Sequence, residues 1–241
     1  MKKITSAALL ALKLTWKIVL LTFVLSLGLQ ILDVFWELMP GGVPLQATLG
    51  FENLLRSAAQ PAGKWWTVML MAFLVASAGY DKNTRTVYTM NRLGLSENQV
   101  TLIFGLVFTG YFLLYWAFQL AVCCGFFVWY SRFTLVSSNA FMLAAWRSEW
   151  LHSLLPLGEW WGYLRNLAIC GSFGFSAAFA AQQGRRGKVP LVWIIAPMMC
   201  VFLMSGRIGD FALDLVLTVL LAAFTIGYFF ALKGGREDED L

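Results

Sequence analysis

Charged residues are scarce in this 241-residue chain: they make up 13% of it, whereas 59% of the residues are hydrophobic. Soluble domains carry about twice that share of charge, roughly a quarter of their residues. The composition therefore predicts an all-α, polytopic helical membrane protein with a single transmembrane domain over residues 1–241. The net charge of +5 does not indicate nucleic-acid binding, because the basic residues are spread over short loops, as in membrane orientation signals.

Side chains typical of catalytic and metal sites are also few. The single histidine, His152, excludes most histidine-based metal sites and is either an acid–base group or an ordinary interfacial residue. The four cysteines lie inside apolar runs without CxxC spacing, which favours packing roles. The HExxH, GxSxG and GxxxxGK[ST] motifs are absent from the sequence. We therefore expect no enzyme activity, metal or cofactor in this chain, and an intramembrane enzyme is the disfavoured alternative.

Long apolar runs predict six transmembrane helices. Their approximate ranges are 18–38, 65–80, 99–130, 167–181, 189–205 and 210–232. Lysines near the amino terminus, together with Trp16, predict an N-terminal interfacial helix before the first span. The third run is roughly 45 Å long against a hydrocarbon core of roughly 30 Å, so it must tilt, kink or project. Pro197 predicts a kink in the fifth span.

The distribution of basic residues predicts the orientation of the chain. Twelve of the 18 Lys and Arg residues fall on the side of the two termini, which places both termini in the cytoplasm. The other six are Arg56, Lys64, Arg132, Arg147, Arg165 and Arg207. Residues 131–165 are rich in tryptophan, and we expect an outer interfacial or re-entrant segment there. If residues 133–150 formed a seventh span instead, the orientation of everything after them would invert.

Two pairs of acids lie at predicted outer ends of spans. Asp33 and Glu37 end the first span, Asp210 and Asp214 begin the sixth, and each pair shares a helical face. Carboxylates within a membrane are costly and often functional. The four acids are therefore either a substrate pathway or outer gate for a cationic molecule, or hydrated or paired groups at headgroup depth. Arg207 is a candidate partner of Asp210, and Asp214 is the deepest of the four.

A polar segment, residues 81–98, separates the second and third spans. Its excess of basic over acidic residues predicts a cytoplasmic location. Thr84 is a possible helix N-cap, and residues 86–93 contain neither proline nor glycine, which predicts a short helix. Gly94 and Ser96 are expected to end this helix and cap the next one. A cytoplasmic helix joined at both ends to spans can move two membrane helices together.

The string TVYTMNRLGLS at residues 86–96, with six spans and both termini inside, resembles the membrane subunit of ABC exporters in the ABC-2 type permease family. Residues 141–166 are similar to small permeases of Gram-positive bacteria. The resemblance implies a coupling-type helix at residues 84–96 that docks on a separate ATP-binding subunit. Its implied contacts are Arg85, Tyr88, Arg92 and Leu93.

The same resemblance implies the remaining partners and the activity. It implies ATP and Mg in the partner subunit, a second permease copy or a sister permease, membrane lipids around the chain, and a bacterial plasma membrane. It also implies export of a lipid, drug or peptide. The chain departs from the family pattern in one respect. Its outer interfacial or re-entrant segment, residues 131–165, follows the third span, whereas the family often places re-entrant outer helices between the fifth and sixth spans. The alternative is a non-transport membrane receptor or assembly subunit whose cytoplasmic helix binds another partner.

Overall fold

Every regular element in the described part of the chain is an α-helix. The computed structural model describes residues 2–38, 51, 55, 61–79, 92, 94–132, 139–187, 191–204 and 211–234. The helices are α1 (Lys2–Leu38), α2 (Pro61–Gly79), α3 (Glu97–Ser131), α4 (Ala140–Arg147), α5 (Glu149–Leu154), α6 (Trp160–Arg185), α7 (Leu191–Met204) and α8 (Phe211–Gly234). By length and composition, α1, α3, α6 and α8 could each cross a membrane. The predicted class, an all-α membrane protein, is confirmed at this level.

The buried side of α1 consists mainly of small and polar residues, and its exposed side of large apolar ones. The fully or almost fully buried residues include Ala11, Thr15 and Ser26, whereas Leu21 and Val24 are exposed. This is the reverse of a soluble helix. It suits a lipid environment, where close packing and interhelical hydrogen bonds hold helices together.

The predicted N-terminal interfacial helix is not a separate element. A single helix runs from Lys2 to Leu38, without a break at residue 18 between the predicted interfacial helix and the first span. Ala7 and Ala11 are completely buried, and Ala11 belongs to the main hydrophobic core. Lys13 and Lys17 suggested a membrane-surface helix, but they lie on the exposed side of a helix whose other side packs into the bundle.

The pair α3 and α6 forms the centre of the bundle. The two helices are antiparallel, since Asn98 pairs with Gln182 and Phe112 packs on Phe173 nearer their other ends. Gly174 meets the backbone of α3 directly: a Cβ atom on it would lie 2.7 Å from the Cα of Thr109. Only glycine permits this approach, which is typical of helix crossings in membranes.

The start of α6 differs from the sequence prediction. The helix begins at Trp160, whereas the fourth span was predicted at residues 167–181 and residues 131–165 were predicted to be outer. Arg165 is therefore in the second turn of a long helix and is buried. It therefore belongs to the helix bundle and not to the outer interfacial or re-entrant segment in which it was predicted.

Two short helices, α4 and α5, occupy most of the described outer stretch. With eight residues, α4 extends roughly 12 Å, far less than a membrane crossing needs. Residues 139–159 therefore contain no further span, although residues 133–138 lie outside the described part.

The buried ring of Phe51 packs on Phe127 and Phe141, at centroid distances of 5.1 and 6.4 Å. These contacts cover the carboxyl-terminal part of α3.

Pro197 lies inside α7, which continues through it as an α-helix. A proline has no backbone N–H, so the carbonyl of Trp193, four residues earlier, loses its intrahelical donor. Tyr228 of α8 donates its hydroxyl to that carbonyl oxygen across 3.0 Å. The ring of Phe179 on α6 packs against both aromatic partners. The three carboxyl-terminal long helices are joined at this point.

Candidate functional site

Arg165 and Asp214 form a buried ion pair between α6 and α8. The Arg165 Nη1 atom lies 2.6 Å from the Asp214 Oδ2 atom, and the two residues are 2% and 5% exposed. Arg165 also donates through Nη2 to the carbonyl oxygen of Ser153 at 2.8 Å and through Nε and Nη2 to the Asn166 Oδ1 atom. The pair is thus neutralised internally and ties the end of α5 to α6.

This ion pair changes the reading of the predicted outer acids. The carboxylate of Asp214 faces an arginine inside the bundle and is not a free acid of an outer vestibule. Asp33 is half-buried on α1, which packs mainly on α2 and α3, whereas α8 packs mainly on α6 and α7. Asp33 and Asp214 therefore lie on helices that pack mainly against different neighbours. The side chain of Glu37 and all of Asp210 lie outside the described residues, as does Arg207.

Five buried polar residues from α1, α2 and α3 form a second group, here called the α1–α3 polar cluster. They are Ser26, Gln30, Thr67, Tyr115 and Gln119. The Ser26 hydroxyl oxygen accepts hydrogen bonds from Gln30 Nε2 and Gln119 Nε2, at 3.1 and 3.0 Å. Its own proton therefore points to the Tyr115 hydroxyl oxygen, 2.8 Å away. Tyr115 also contacts Thr67 at 2.6 Å, so one ring joins three helices.

A cavity lies between the α1–α3 polar cluster and the buried ion pair. Its volume is about 80 Å³, and it is lined by residues of α2, α3, α5 and α6. Tyr115 and Gln119 contribute from the polar cluster, and Arg165 and Asn166 contribute from α6. The rest of the lining is mostly apolar or aromatic, with Trp116 as one wall. Apolar walls with a few convergent polar groups are the lining chemistry of a small-molecule site.

A third polar group ties three helix ends together and is here called the three-helix clamp. Arg185 on α6 donates through Nη1 to the carbonyl oxygen of Gly79, the last residue of α2, across 2.7 Å. Its Nε atom lies 3.6 Å from a carboxylate oxygen of Glu97, the first residue of α3. Arg186 lies 3.0 Å from the other oxygen of Glu97. A helix-end carbonyl has no donor within its own helix, and Arg185 supplies one.

The clamp adjoins the predicted ATPase-docking segment. Arg92, five positions before Glu97 in the sequence, is exposed, whereas Arg85, Tyr88 and Leu93 lie outside the described residues. The expected cap of the next helix is present at Ser96, which forms a capping box with Gln99, and Gly94 before it has φ +58°. In that box each residue's side chain accepts a hydrogen bond from the other's backbone amide, at 3.3 and 3.2 Å.

His152 directly precedes Ser153, the residue whose carbonyl accepts from Arg165, and its own side chain contacts other residues. Its Nε2 atom is 3.8 Å from a carboxylate oxygen of Glu159, and its ring packs 6.2 Å from Trp146. Among the described residues, no three His, Cys, Asp or Glu side chains are grouped so that they could hold a metal ion. The arrangement supports an interfacial polar position for His152.

Several buried polar residues were missed by the sequence interpretation, although a signal for some of them existed. Ser26 and Gln30 are four residues apart in an apolar run, and so are Tyr115 and Gln119. A polar pair with this spacing shares one helical face and predicts a contact inside the bundle. No such spacing marks Arg165, whose burial depends on where α6 begins.

Comparison of the chain with protein-family models, curated proteins and solved structures finds no significant match. Its function must therefore be inferred from the clamp, the ion pair and the cavity themselves.

Proposed function

We propose that this chain is the membrane-spanning permease subunit of an ABC exporter, driven by a separate ATPase subunit that docks on residues 84–96. The three-helix clamp is the observation that carries the proposal. The docking segment leaves α2 after Gly79 and enters α3 at Glu97, and Arg185 of α6 contacts both of these residues. A force applied to the segment therefore reaches three membrane helices.

Arg185 suits the transmission of such a force because its side chain is largely buried and its hydrogen bond to the Gly79 carbonyl is short. The Arg185 side chain is only 11% exposed. The neighbouring hydrogen bond from Gln182 to Asn98, at 2.8 Å, joins α6 and α3 one turn deeper. We expect the ends of α2, α3 and α6 to move as one body when an ATPase binds or releases the segment.

The end of the bundle that carries the clamp is the basic end. Lys3 lies close to Gly94, and Arg92, Arg185 and Arg186 are at the same end. Basic residues are retained on the cytoplasmic side, which supports a cytoplasmic position for the docking segment and both termini. The six longest helices are then the six spans.

ATP and Mg would be held by the partner subunit, since the sequence has no P-loop. A second permease copy or a sister permease would complete the transporter, and the cargo would be a lipid, drug or peptide. A membrane receptor or assembly subunit, with the same segment bound to another protein, is the rival function that the experiment must distinguish.

Affinity purification of the tagged chain in mild detergent tests the proposal. We expect an ATPase in stoichiometric amount, lost on the charge reversal Arg92→Glu and retained on Arg132→Glu. Arg132 is an exposed arginine near the end of α3 remote from the clamp, so it is a matched control. A folded chain that purifies without any ATPase would favour the receptor or assembly function. An unchanged yield of ATPase with Arg92→Glu would remove the docking site from residues 84–96.

A further inference from the structure

The cavity beside the α1–α3 polar cluster has charged residues whose charges are already balanced. Arg165 borders it, but its guanidinium group is paired with Asp214 at 2.6 Å and is almost fully buried. An anionic ligand would have to compete with that carboxylate, and a cationic ligand would meet the arginine. A charge buried without a partner is costly, so the cavity favours an uncharged occupant.

The Gln119 and Asn166 amides at the cavity keep more hydrogen-bond donors than acceptors for a ligand. The Gln119 side-chain oxygen accepts from Gln30, and the Asn166 side-chain oxygen accepts from Arg165. Each amide nitrogen carries two hydrogens. Gln119 uses one toward Ser26, and Asn166 uses one toward the carbonyl of Ser153. Within the described part of the chain, each amide therefore keeps one N–H to offer. The Asn166 oxygen accepts from both Nε and Nη2 of Arg165, whereas the Gln119 oxygen accepts one of the two hydrogen bonds that it can take.

We propose that this cavity binds an uncharged, mostly apolar small molecule that carries a hydrogen-bond acceptor, such as the carbonyl of a ketone or an ester. Gln119 and Asn166 supply the donors, and Phe112, Trp116 and Phe173 supply aromatic walls. A pocket with apolar walls and a few convergent polar groups is the usual form of a small-molecule site. The inference goes beyond the proposed function, because such binding requires no ATPase.

Photolabelling of the purified chain in lipid nanodiscs with benzophenone tests this proposal. Benzophenone is an uncharged diaryl ketone, so it matches the expected ligand and also inserts into nearby C–H bonds when irradiated. We expect mass-spectrometric mapping to concentrate the label on residues 112–119 of α3 and 166–173 of α6. A label confined to lipid-facing residues, such as Leu20 and Val219, would overturn the proposal.

Competition separates the acceptor requirement from simple apolar binding. Phenyl benzoate carries an ester carbonyl, whereas diphenylmethane has similar rings and no acceptor. We expect phenyl benzoate to suppress the cavity label about threefold to tenfold more effectively, the difference that one hydrogen bond supplies. Equal suppression by the two compounds would overturn the role of Gln119 and Asn166.

A pair of cysteine variants tests the location. Cys170 lines the cavity, whereas Cys124 is exposed on the outside of the bundle. We expect Cys170→Leu to lower the cavity label several-fold by filling space, and Cys124→Leu to leave it unchanged. An undiminished label in a folded Cys170→Leu protein would contradict the proposal. The wild-type map and the competition decide the question if that variant does not fold. Since no ATPase is present, failure here leaves the proposed function untouched.

Discussion

The hydroxyl group of Tyr228 on α8 donates a hydrogen bond to the backbone carbonyl of Trp193 on α7, across 3.0 Å. That carbonyl is the one that Pro197 deprives of its amide partner. In a membrane, freed backbone groups must be satisfied by neighbouring side chains, helices or water. The proline in α7 and the tyrosine in α8 therefore form a matched pair, although 31 positions separate them in the printed sequence.

Replacement of Tyr228 by Phe removes this donor and keeps the ring. We expect a loss of about 0.5–1.5 kcal/mol in the free energy of unfolding, the range of interhelical side-chain hydrogen bonds in membranes. In a Pro197→Ala background the carbonyl regains its backbone amide, and the loss should shrink. SDS-induced unfolding in mixed micelles measures both values. Equal losses in the two backgrounds would show that the tyrosine hydroxyl does not compensate for the proline.

The buried ion pair predicts strong coupling between Arg165 and Asp214. Either single change, Arg165→Leu or Asp214→Leu, leaves an unpaired charge inside the bundle and should cost about 3–5 kcal/mol. The double variant carries neither charge and should be more stable than either single variant. The same unfolding assay measures this double-mutant cycle. Additive losses would mean that the two side chains do not stabilise each other.

The crossing of α3 and α6 predicts a large effect from one added methyl group. Gly174→Ala places a Cβ atom against the Thr109 backbone, and we expect it to cost about 1–3 kcal/mol through overpacking. Gly110→Ala is the matched control, because a Cβ atom there meets nothing within 4 Å. Alanine in an open helical position should stabilise by about 0.5–1 kcal/mol. Similar effects of the two variants on thermal unfolding would contradict the close crossing.

The clamp predicts unequal roles for two neighbouring arginines. Arg185→Gln leaves the carbonyl of Gly79 without its donor and should lower stability by about 1–3 kcal/mol. Arg186 is more exposed, and its ion pair with Glu97 resembles a surface pair worth about 0–1 kcal/mol. The readout is again unfolding in mixed micelles. An effect of Arg186→Gln equal to that of Arg185→Gln would argue against a specific clamp.

The proposed orientation is open to a direct labelling experiment. In a background without the native cysteines, Arg92→Cys should react with a membrane-impermeant maleimide only after the membrane is permeabilised. Glu159→Cys, exposed near the opposite end of the bundle, should react in intact cells. The reverse pattern would place the basic end outside and would rule out a cytoplasmic docking segment.

The helical membrane class could be predicted from the sequence because it depends on mean hydropathy and on the length of apolar runs. The residue types before the start of α3 were equally informative. Gly94 and Ser96 have short-range preferences for a helix end and an N-cap, and these preferences are satisfied within a few residues.

The buried polar contacts could not be predicted in the same way, because each depends on two distant segments. Asp214 was recognised as a deep acid, but its partner Arg165 lies 49 positions earlier and was assigned to an outer segment. Similarly, the lysines of α1 suggested a surface helix, since hydropathy does not show that the opposite side of that helix carries Ala7 and Ala11 against the bundle.

The positions of these contacts along the chain bear on the order in which the protein is made. All members of the α1–α3 polar cluster lie within the first 131 residues, so their hydrogen bonds can form before α6 leaves the ribosome. Arg165 enters the membrane without its counter-charge until α8 has been synthesised, and an isolated arginine there is costly. Synthesis of α8 supplies that counter-charge through Asp214, and a chain cut short before α8 retains an unpaired charge for cellular quality control to recognise.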